Sequence, residues 1–393
     1  MKQTLKEDGG LPPLILWTLS IVAGISIANI YYNQPLLNMI RHELGVSEFT
    51  TNLIAMVTQI GYALGLLFVV PLGDMYKRKK IIIINFSLLV VSLIGIAAAP
   101  NIHIILAASL ITGICSVIPQ IFVPIAALYS KPENKGRNVG LIISGLLSGI
   151  LVSRVISGLV GELFGWREMY YIAAVLMVAY GLIVYTVLPD IQPTFKGKYT
   201  ELMKSLVSLL KDFPALRIYS VRAGFAFGSF LSMWACLAFK MGQAPFFASS
   251  DVVGMLGLCG VAGAMTASLV GKYVRKVGVR PFNYWGCGLI LSAWTLLYFG
   301  GNYYTAIIAG IIIIDIGIQF IQLSNQSSIF ELCPSASNRV NTIFMTTYFI
   351  GGSLGTFLSG TAWQLFGWAG TAGVGVLLCC ASLSVTLFSK VKV

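Results

Sequence analysis

Long apolar stretches, separated by short polar loops, follow one another along almost the whole chain. Each stretch is close to the ~20 residues that an α-helix needs to cross a hydrocarbon layer of about 30 Å, and is longer than a barrel strand of about ten residues. Because glycine, proline and charged residues break this pattern, we predict twelve transmembrane helices, near residues 14–38, 51–73, 81–99, 103–129, 138–162, 168–188, 216–240, 252–273, 281–299, 303–330, 339–364 and 368–389. The predicted fold class is an all-α membrane protein.

Composition and charge narrow the class of protein further. Hydrophobic residues make up 57% of the chain and charged residues only 10%, against about 25% charged residues in a soluble domain. The seven cysteines lie mostly inside apolar stretches without metal-site spacing, so we expect neither a disulfide nor a metal ion. The net charge of +12 does not indicate a nucleic-acid partner, because the basic residues stand between apolar stretches.

The positions of the basic residues predict the orientation in the lipid bilayer. Lysine and arginine accumulate in cytoplasmic loops. If the amino terminus is cytoplasmic, 22 of the 26 basic residues fall on the cytoplasmic side, and only Arg41, Arg167 and Lys240 fall outside. An even number of helices with both termini in the cytoplasm follows.

The chain repeats itself at a shift of 202 residues. The aligned pairs are Pro132 and Pro334, Arg137 and Arg339, Gly149 and Gly351, and Gly158 and Gly360, and the run Leu163–Trp166 falls on Leu365–Trp368. Such a repeat is typical of a duplicated bundle. We predict an amino-terminal six-helix bundle over residues 1–189, a cytoplasmic linker over 190–214, and a carboxy-terminal six-helix bundle over 215–393.

Duplicated bundles favour a transporter, because a substrate site between the halves can open to either side as one half rocks on the other. A membrane enzyme would need converging catalytic groups, yet the two histidines, His42 and His103, stand at loop edges. We therefore expect no enzymatic activity and no cofactor. A sensor that transports nothing is the alternative from another class.

Two segments carry a family resemblance. Residues Pro71 to Lys80 follow the second predicted helix with a glycine, an aspartate and a basic cluster, and Gly271 to Arg280 is their counterpart in the second half. These loops resemble the signature of the major facilitator superfamily. The segment Asn29-Ile-Tyr-Tyr-Asn-Gln-Pro35 is similar to bacterial drug and metabolite efflux permeases. The resemblance implies a monomer in the bacterial inner membrane that exports a small organic molecule in exchange for protons.

Two positions differ from the proton-coupled antiporters that the chain resembles. Ser109 stands where many of them carry an arginine in the fourth helix, and the fifth helix has Ser144 to Gly149 in place of a Gly-Pro step. Import by proton symport or by facilitated diffusion therefore stays open as an alternative.

Two ionisable residues are predicted near the middle of the membrane. Arg154 lies in the fifth helix and Asp315 in the tenth, and at ~1.5 Å per residue they reach similar depths in different halves. A charge in hydrocarbon is costly, so such residues are candidates for function. Attraction to Arg154 favours the carboxylate and burial favours the acid, which predicts proton coupling; a static structural pair and direct substrate binding are the alternatives.

Several polar side chains are candidates for substrate binding. Asp315, Gln319 and Gln322 share one helix face by their spacing, as do Asn29, Tyr32 and Asn33. The resemblance implies that helices 1, 4, 7 and 10 line a central cavity, which adds Gln120 and Trp234. Interhelical hydrogen bonding is the alternative role for each of them.

Charged residues near one end of the predicted bundle form a candidate cytoplasmic gate: Asp74, Arg78 and Arg137. Small residues at close-packing spacing, such as Gly61 with Gly65 and Gly145 with Gly149, lie in helices 2 and 5. The resemblance implies that helices 2, 5, 8 and 11 form the moving seam between the halves.

The predicted topology can be tested by labelling single cysteines in intact cells with a membrane-impermeant maleimide. We expect cysteines placed at Asn101 and Gly301 to react from outside, because both loops follow an odd number of helices. A cysteine at Lys198 should react only after the membrane is permeabilised. Reaction at Lys198 and protection at Asn101 in intact cells would invert the topology.

Overall fold

The computed structural model describes residues 5–191, 193, 197–333 and 336–389. The side chains of residues 267–269, 271, 272 and 275 lie outside that description, and so does part of the predicted linker. Pro334 of the repeat therefore lies outside the described residues, and so do four of the basic residues predicted on the cytoplasmic side, Lys2, Lys196, Lys390 and Lys392, and the side chains of two more, Lys272 and Arg275.

Helices account for nearly all of the described chain. Nine helices in the described residues are long and apolar enough to cross a membrane. One of them, Ser337–Phe388, is two helices that meet at Gly367. With two further segments, around residues 250–277 and at Val279–Phe299, the total is twelve, as the sequence predicts.

We number these segments α1 to α12. Their bounds are α1 Pro13–Leu44, α2 Glu48–Met75, α3 Arg78–Ala97, α4 Ile102–Tyr129, α5 Lys135–Phe164, α6 Trp166–Val187, α7 Pro214–Met241, α8 250–277, α9 Val279–Phe299, α10 Tyr304–Leu332, α11 337–366 and α12 368–388. A linker helix, Tyr199–Asp212, lies between α6 and α7.

Two glycines end equivalent helices in the two halves. Gly165 stops α5 at φ 113°, and Gly367 stops α11 at φ 57°. Glycine adopts such backbone angles without the steric cost that a Cβ would bring. Each glycine is followed by a tryptophan that starts the next segment: Trp166 donates to Glu43, and Trp368 donates to the carbonyl of Leu297. The two copies of the repeat thus turn the chain in the same way.

Two hydrophobic cores run through the molecule. One is built almost entirely from residues between Leu11 and Ile191, and the other mainly from residues between Leu206 and Cys379. The cores meet where α2 packs on α11 and α5 packs on α8. The boundaries of the two bundles at residues 189 and 215 stay a prediction.

The linker helix contacts both halves. Its buried face, with Leu202, Leu206 and Leu209, packs towards α11 and α7. The Tyr199 hydroxyl donates to the carbonyl of Phe68 in α2 at 3.1 Å. We call this end of the molecule the basic end, because it also carries the segment from Lys77 to Lys80. The other end, with the loop after Leu44, is the opposite end.

Most of the small-residue pairs do not lie at the seam that the resemblance implied. Gly149 of α5 contacts Gly24 of α1, and Gly355 of α11 contacts Gly228 of α7, so both contacts join helices of one half. Backbones approach this closely only where a side chain is missing. Among the described residues, two glycines that meet across the halves are Gly158 in α5 and Gly254 in α8.

A matched pair of substitutions in α5 can test this packing. A Cβ at position 149 would overlap the Gly24 carbonyl, whereas one at position 140 would meet nothing within 4 Å. We expect Gly149→Ala to destabilise the protein by about 1–3 kcal/mol, as overpacking does. Gly140→Ala should leave stability unchanged or raise it by up to about 1 kcal/mol, because alanine favours helix. Thermal unfolding of both variants in detergent measures the difference, and equal melting temperatures would contradict the packing argument.

Candidate functional site

A cavity of about 120 Å³ lies between the two halves at mid-depth. Residues of α1, α2, α4 and α5 line one side, and residues of α7, α8, α10 and α11 line the other. Its main polar groups come from six side chains, Tyr31, Gln120, Arg154, Asp315, Gln319 and Gln322. Such a mixed lining at the interface of duplicated halves is typical of a substrate site.

Three helices are interrupted near this cavity. The helix of α1 breaks between Asn29 and Tyr32, that of α4 at residues 116–117, and that of α8 at the 3₁₀ turn Gly257–Gly260. Irregular backbone within a membrane is tolerated where it is buried in protein or lines a cavity. The breaks bring Tyr31, Gln120 and Gly260 to the cavity wall.

Arg154 is held by uncharged neighbours. Its Nε donates to Gln34 Oε1 at 2.7 Å. The guanidinium carbon lies 4.0 Å from the centre of the Trp234 ring and 5.0 Å from that of Tyr31. A hydrogen bond and two ring faces stabilise the cation without neutralising it.

Asp315 lies on the same cavity, about 7% exposed. Among the described residues its Oδ2 has no hydrogen-bond partner, and it forms no ion pair with Arg154. The 3₁₀ turn of α8 lies against both charged residues, with Gly257 beside the Arg154 side chain and Gly260 beside the Asp315 carboxyl group. The two residues therefore share a cavity and a neighbouring turn without being bonded to each other.

Both charges lie at the depth that the sequence predicts. Arg154 is about 15 Å from the end of α5, and Asp315 about 17 Å from the start of α10, at ~1.5 Å per residue. Gln319 and Gln322 also line the cavity, and the Tyr348 hydroxyl donates to Gln322 Oε1 at 2.8 Å. Asp315 and the two glutamines thus share one face of α10.

The predicted face of α1 does not reach the cavity. Asn29 donates to backbone carbonyls of its own helix and to Met177 Sδ, Asn33 donates to Thr58 at 3.5 Å, and Tyr32 packs in the core of its own half. The break at these residues rotates the helix, so counting by 3.6 residues per turn fails. Trp234 contacts the site through Arg154 rather than by lining the cavity.

Sequence reasoning missed several residues of the site. Tyr31 and Gln34 lie in the segment Asn29–Pro35, but neither is among the site residues that the sequence predicts. Tyr62, Phe227 and Tyr348 are aromatic residues within apolar stretches, so no pattern marks them.

Arg222 is a further buried cation. It is one of the 22 basic residues predicted on the cytoplasmic side, but it is 1% exposed inside α7. Its Nε donates to Asn325 Oδ1 at 3.0 Å, and Asn325 in turn donates to Asn283 at 2.9 Å. This network joins α7, α9 and α10 away from the central cavity.

Direct contacts between the halves close the opposite end. Asn52 Nδ2 donates to the carbonyl of Thr356 at 2.8 Å, and Trp363 Nε1 donates to Glu48 Oε2 at 2.6 Å. Both contacts join α2 to α11. Together with the α5 and α8 glycine contact, they separate the central cavity from the opposite end.

A second cavity, of about 210 Å³, continues towards the basic end. Gln120 lines both cavities and donates to the Tyr62 hydroxyl at 3.3 Å. The ring of Tyr62 lies 4.4 Å from that of Phe349 across the two halves. These three side chains divide the central cavity from the second one.

The predicted gate residues are only partly together. Arg78 Nη2 lies 3.5 Å from Asp74 Oδ1, and Arg78 Nε donates to the carbonyl of Gly73. Asp74, Arg78 and Arg339 line the second cavity. Arg137 is exposed near the start of α5 and does not line it, because the first turn of α5 points that residue to the surface.

A cavity of mixed lining between two helical halves, closed at one end and continued by a second cavity towards the other, is typical of a membrane transporter. The family model of the Major Facilitator Superfamily matches residues 19–356. The chain belongs to this superfamily, as its resemblance implied, and it is a transporter and not an enzyme.

Two relatives and one solved structure are similar to the chain over most of its length. The chain is 35% identical over 380 residues to the putative uncharacterized transporter YgaY of Escherichia coli (strain K12), covering 97% of this chain and 96% of the relative. It is 29% identical over 368 residues to the probable transporter SCO4007 of Streptomyces coelicolor, covering 93% and 85%. A bacterial homolog to the human lysosomal transporter Spinster, in an inward-facing and unoccupied conformation, superposes with a TM-score of 0.75 at 14% identity, covering 96% and 95%. The likeness to that structure shows the fold alone.

Weakening the closed end should expose the central cavity there. Asn52→Ala removes a buried hydrogen bond that exists only while α2 and α11 touch, and losing about 1 kcal/mol should raise the open population about fivefold. The measurement is the rate at which an impermeant maleimide added at the opposite end labels Gln319→Cys in a background without other cysteines.

Asn302→Ala is the control for this prediction, because Asn302 accepts a hydrogen bond from Lys240 within one half. Its labelling rate should equal that of the parent. An unchanged rate in Asn52→Ala would show that this contact does not hold the halves together.

Proposed function

We propose that the protein exports a small organic molecule through the central cavity by alternating access, in exchange for protons that bind Asp315. The observation that carries the proposal is a buried carboxyl group with an unpartnered oxygen on the wall of the cavity between the halves. Membership of the family shows that the protein is a transporter. The direction of transport, its coupling to protons and the class of substrate are what we propose.

Asp315 has the environment of a group that gains and loses a proton. An ionised carboxylate without a partner costs several kcal/mol in a buried site. Arg154 offsets part of that cost through space but keeps its hydrogen bond to Gln34. A proton taken from the water on one side before the site closes removes the charge, and opening to the water on the other side favours the carboxylate again and releases the proton there. A cycle of closing and opening therefore loads and releases one proton.

The substrate class follows from the lining. The rings of Phe227 and Tyr348 stack at 3.9 Å, and Tyr62 and Phe349 add a second aromatic pair. Gln319 and Gln322 offer amide donors and acceptors beside them. Aromatic faces with a few amides and one charge of each sign suit an amphiphilic organic molecule better than an inorganic ion.

The contact of Asp74 with Arg78 is proposed as part of the gate at the basic end. Arg339 of the other half lines the same cavity, so a carboxylate from one half and a guanidinium from the other would attract each other as the halves close there. Arg137 is left out of this proposed gate because its side chain lies outside the cavity.

We place the protein in a bacterial inner membrane as a monomer with both termini in the cytoplasm. The two curated relatives named above are bacterial proteins, and helical bundles span inner membranes whereas outer membranes hold barrels. Proton symport or facilitated import would use the same residues, because direction follows the gradients. A sensor would bind without net movement of substrate.

The proposal predicts that Asp315→Asn uncouples transport from protons. An imposed gradient of about two pH units stores about 2.7 kcal/mol per proton, enough for roughly hundredfold accumulation. Asparagine mimics the protonated acid, so we expect substrate binding and exchange to persist while gradient-driven accumulation is lost. The measurement uses proteoliposomes that contain a pH dye. Accumulation of each member of a panel of aromatic cations, zwitterions and acids is measured with and without the gradient.

Asp212→Asn, on the linker helix, is the matched control and should accumulate substrate like the wild type. Full accumulation by Asp315→Asn would place the proton elsewhere. Loss of both exchange and accumulation would point to a salt bridge between Asp315 and a cationic substrate. No proton movement with any compound in the wild type would favour facilitated diffusion or a sensor.

A further inference from the structure

An open groove of about 950 Å³ lies on the outside of the amino-terminal half at the basic end. The start of α1, the start of α3 and the end of α6 form its walls. It is separate from both cavities between the halves, and the transport cycle proposed above does not use it. Three lysines, Lys77, Lys79 and Lys80, line it.

The groove carries an excess of positive charge. Asp190 is its one acidic lining residue among those described, and it lies 3.8 Å from Lys77. The ammonium group of Lys79 is 4.8 Å from the centre of the Tyr185 ring. Within the described residues neither Lys79 nor Lys80 forms an ion pair. Two cations are therefore available to an anionic ligand.

The remaining wall of the groove is apolar and faces outward. Leu14 is 68% exposed and Ile84 47% exposed, and both line the groove. Tyr185, at 60% exposure near the end of α6, is typical of a residue at the membrane interface, where tyrosine is enriched. The lysines thus stand at headgroup level, and the aliphatic side chains lie next to them on the lipid-facing surface.

We propose that this groove binds an anionic phospholipid, with its phosphate between Lys79 and Lys80 and its acyl chains along Leu14 and Ile84. The lysines select the charge of the headgroup, because basic pockets beside transmembrane helices attract anionic lipids. The apolar wall selects a lipid over a free phosphate, which gains nothing from aliphatic contacts.

Native mass spectrometry of the purified full-length protein, titrated with phosphatidylglycerol or phosphatidylcholine, tests the proposal. Each lysine near the membrane surface strengthens anionic-lipid binding roughly fivefold, so Lys79→Gln with Lys80→Gln should weaken phosphatidylglycerol binding roughly 30-fold. Phosphatidylcholine binding should not change. Replacing both lysines with arginine keeps the charge and should keep the affinity for phosphatidylglycerol.

The matched control is Lys131→Gln with Lys135→Gln, which removes two charges at the same end outside the groove. Its affinity for phosphatidylglycerol should stay at the wild-type value. Equal binding of the two lipids by the wild type, or equal losses in the two double variants, would overturn the site. Competition by soluble glycerol phosphate at the lipid's own concentration would show that the groove recognises phosphate alone and would overturn the lipid assignment.

Discussion

A guanidinium that cannot reach water must find its partners inside the protein, and Arg154 finds them in Gln34, Trp234 and Tyr31. Much of the central site depends on this requirement. The break in α1 carries Tyr31 to the cavity and Gln34 to the arginine, and α7 supplies the indole from the other half. Because the cation is held without a carboxylate, Asp315 is left with an unpartnered oxygen on the same cavity. The uncharged surroundings of Arg154 thus stabilise its charge and also leave the Asp315 oxygen without a partner.

The same requirement is met differently in the carboxy-terminal half. Arg222 is also buried in a membrane span without an ion pair among the described residues, yet it is surrounded by amides from α9 and α10 rather than by a cavity. Its hydrogen bonds to Asn325, which itself donates to Asn283, fix this arginine in place. Arg222 and its network therefore stabilise the packing of three helices. Arg154 instead lines the central cavity, which is the proposed substrate site.

The parts of the fold that could be predicted are those that depend on local patterns in the sequence. Apolar stretches of membrane-spanning length and the alternation of basic loops are local patterns, and they predict the helix count. The face of α10 could be predicted because α10 is an uninterrupted helix. The face of α1 could not, because hydrogen bonds that span three residues, from Ile30, Tyr31 and Gln34, replace regular helical ones and rotate the chain. Arg222 was predicted among the cytoplasmic charges because a sequence alone does not distinguish a charge in the first turns of a membrane span from a charge in the preceding loop.

The glycine positions show a similar limit. Spacing marks a helix that packs closely, but it does not say which neighbour it packs against. Gly149 meets α1 and Gly158, nine residues on, meets α8 of the other half, so one helix holds both an internal contact and a contact between the halves.

The short 3₁₀ turn of α8 has a mechanical consequence. A 3₁₀ helix rises about 2.0 Å and turns about 120° per residue, against about 1.5 Å and 100° for an α-helix. If Gly257–Gly260 adopted α geometry, α8 would shorten by about 2 Å and its two parts would rotate by about 80° relative to each other. Since that turn lies against Arg154 on one side and Asp315 on the other, such a change of geometry would alter how α8 packs against both charged residues at once.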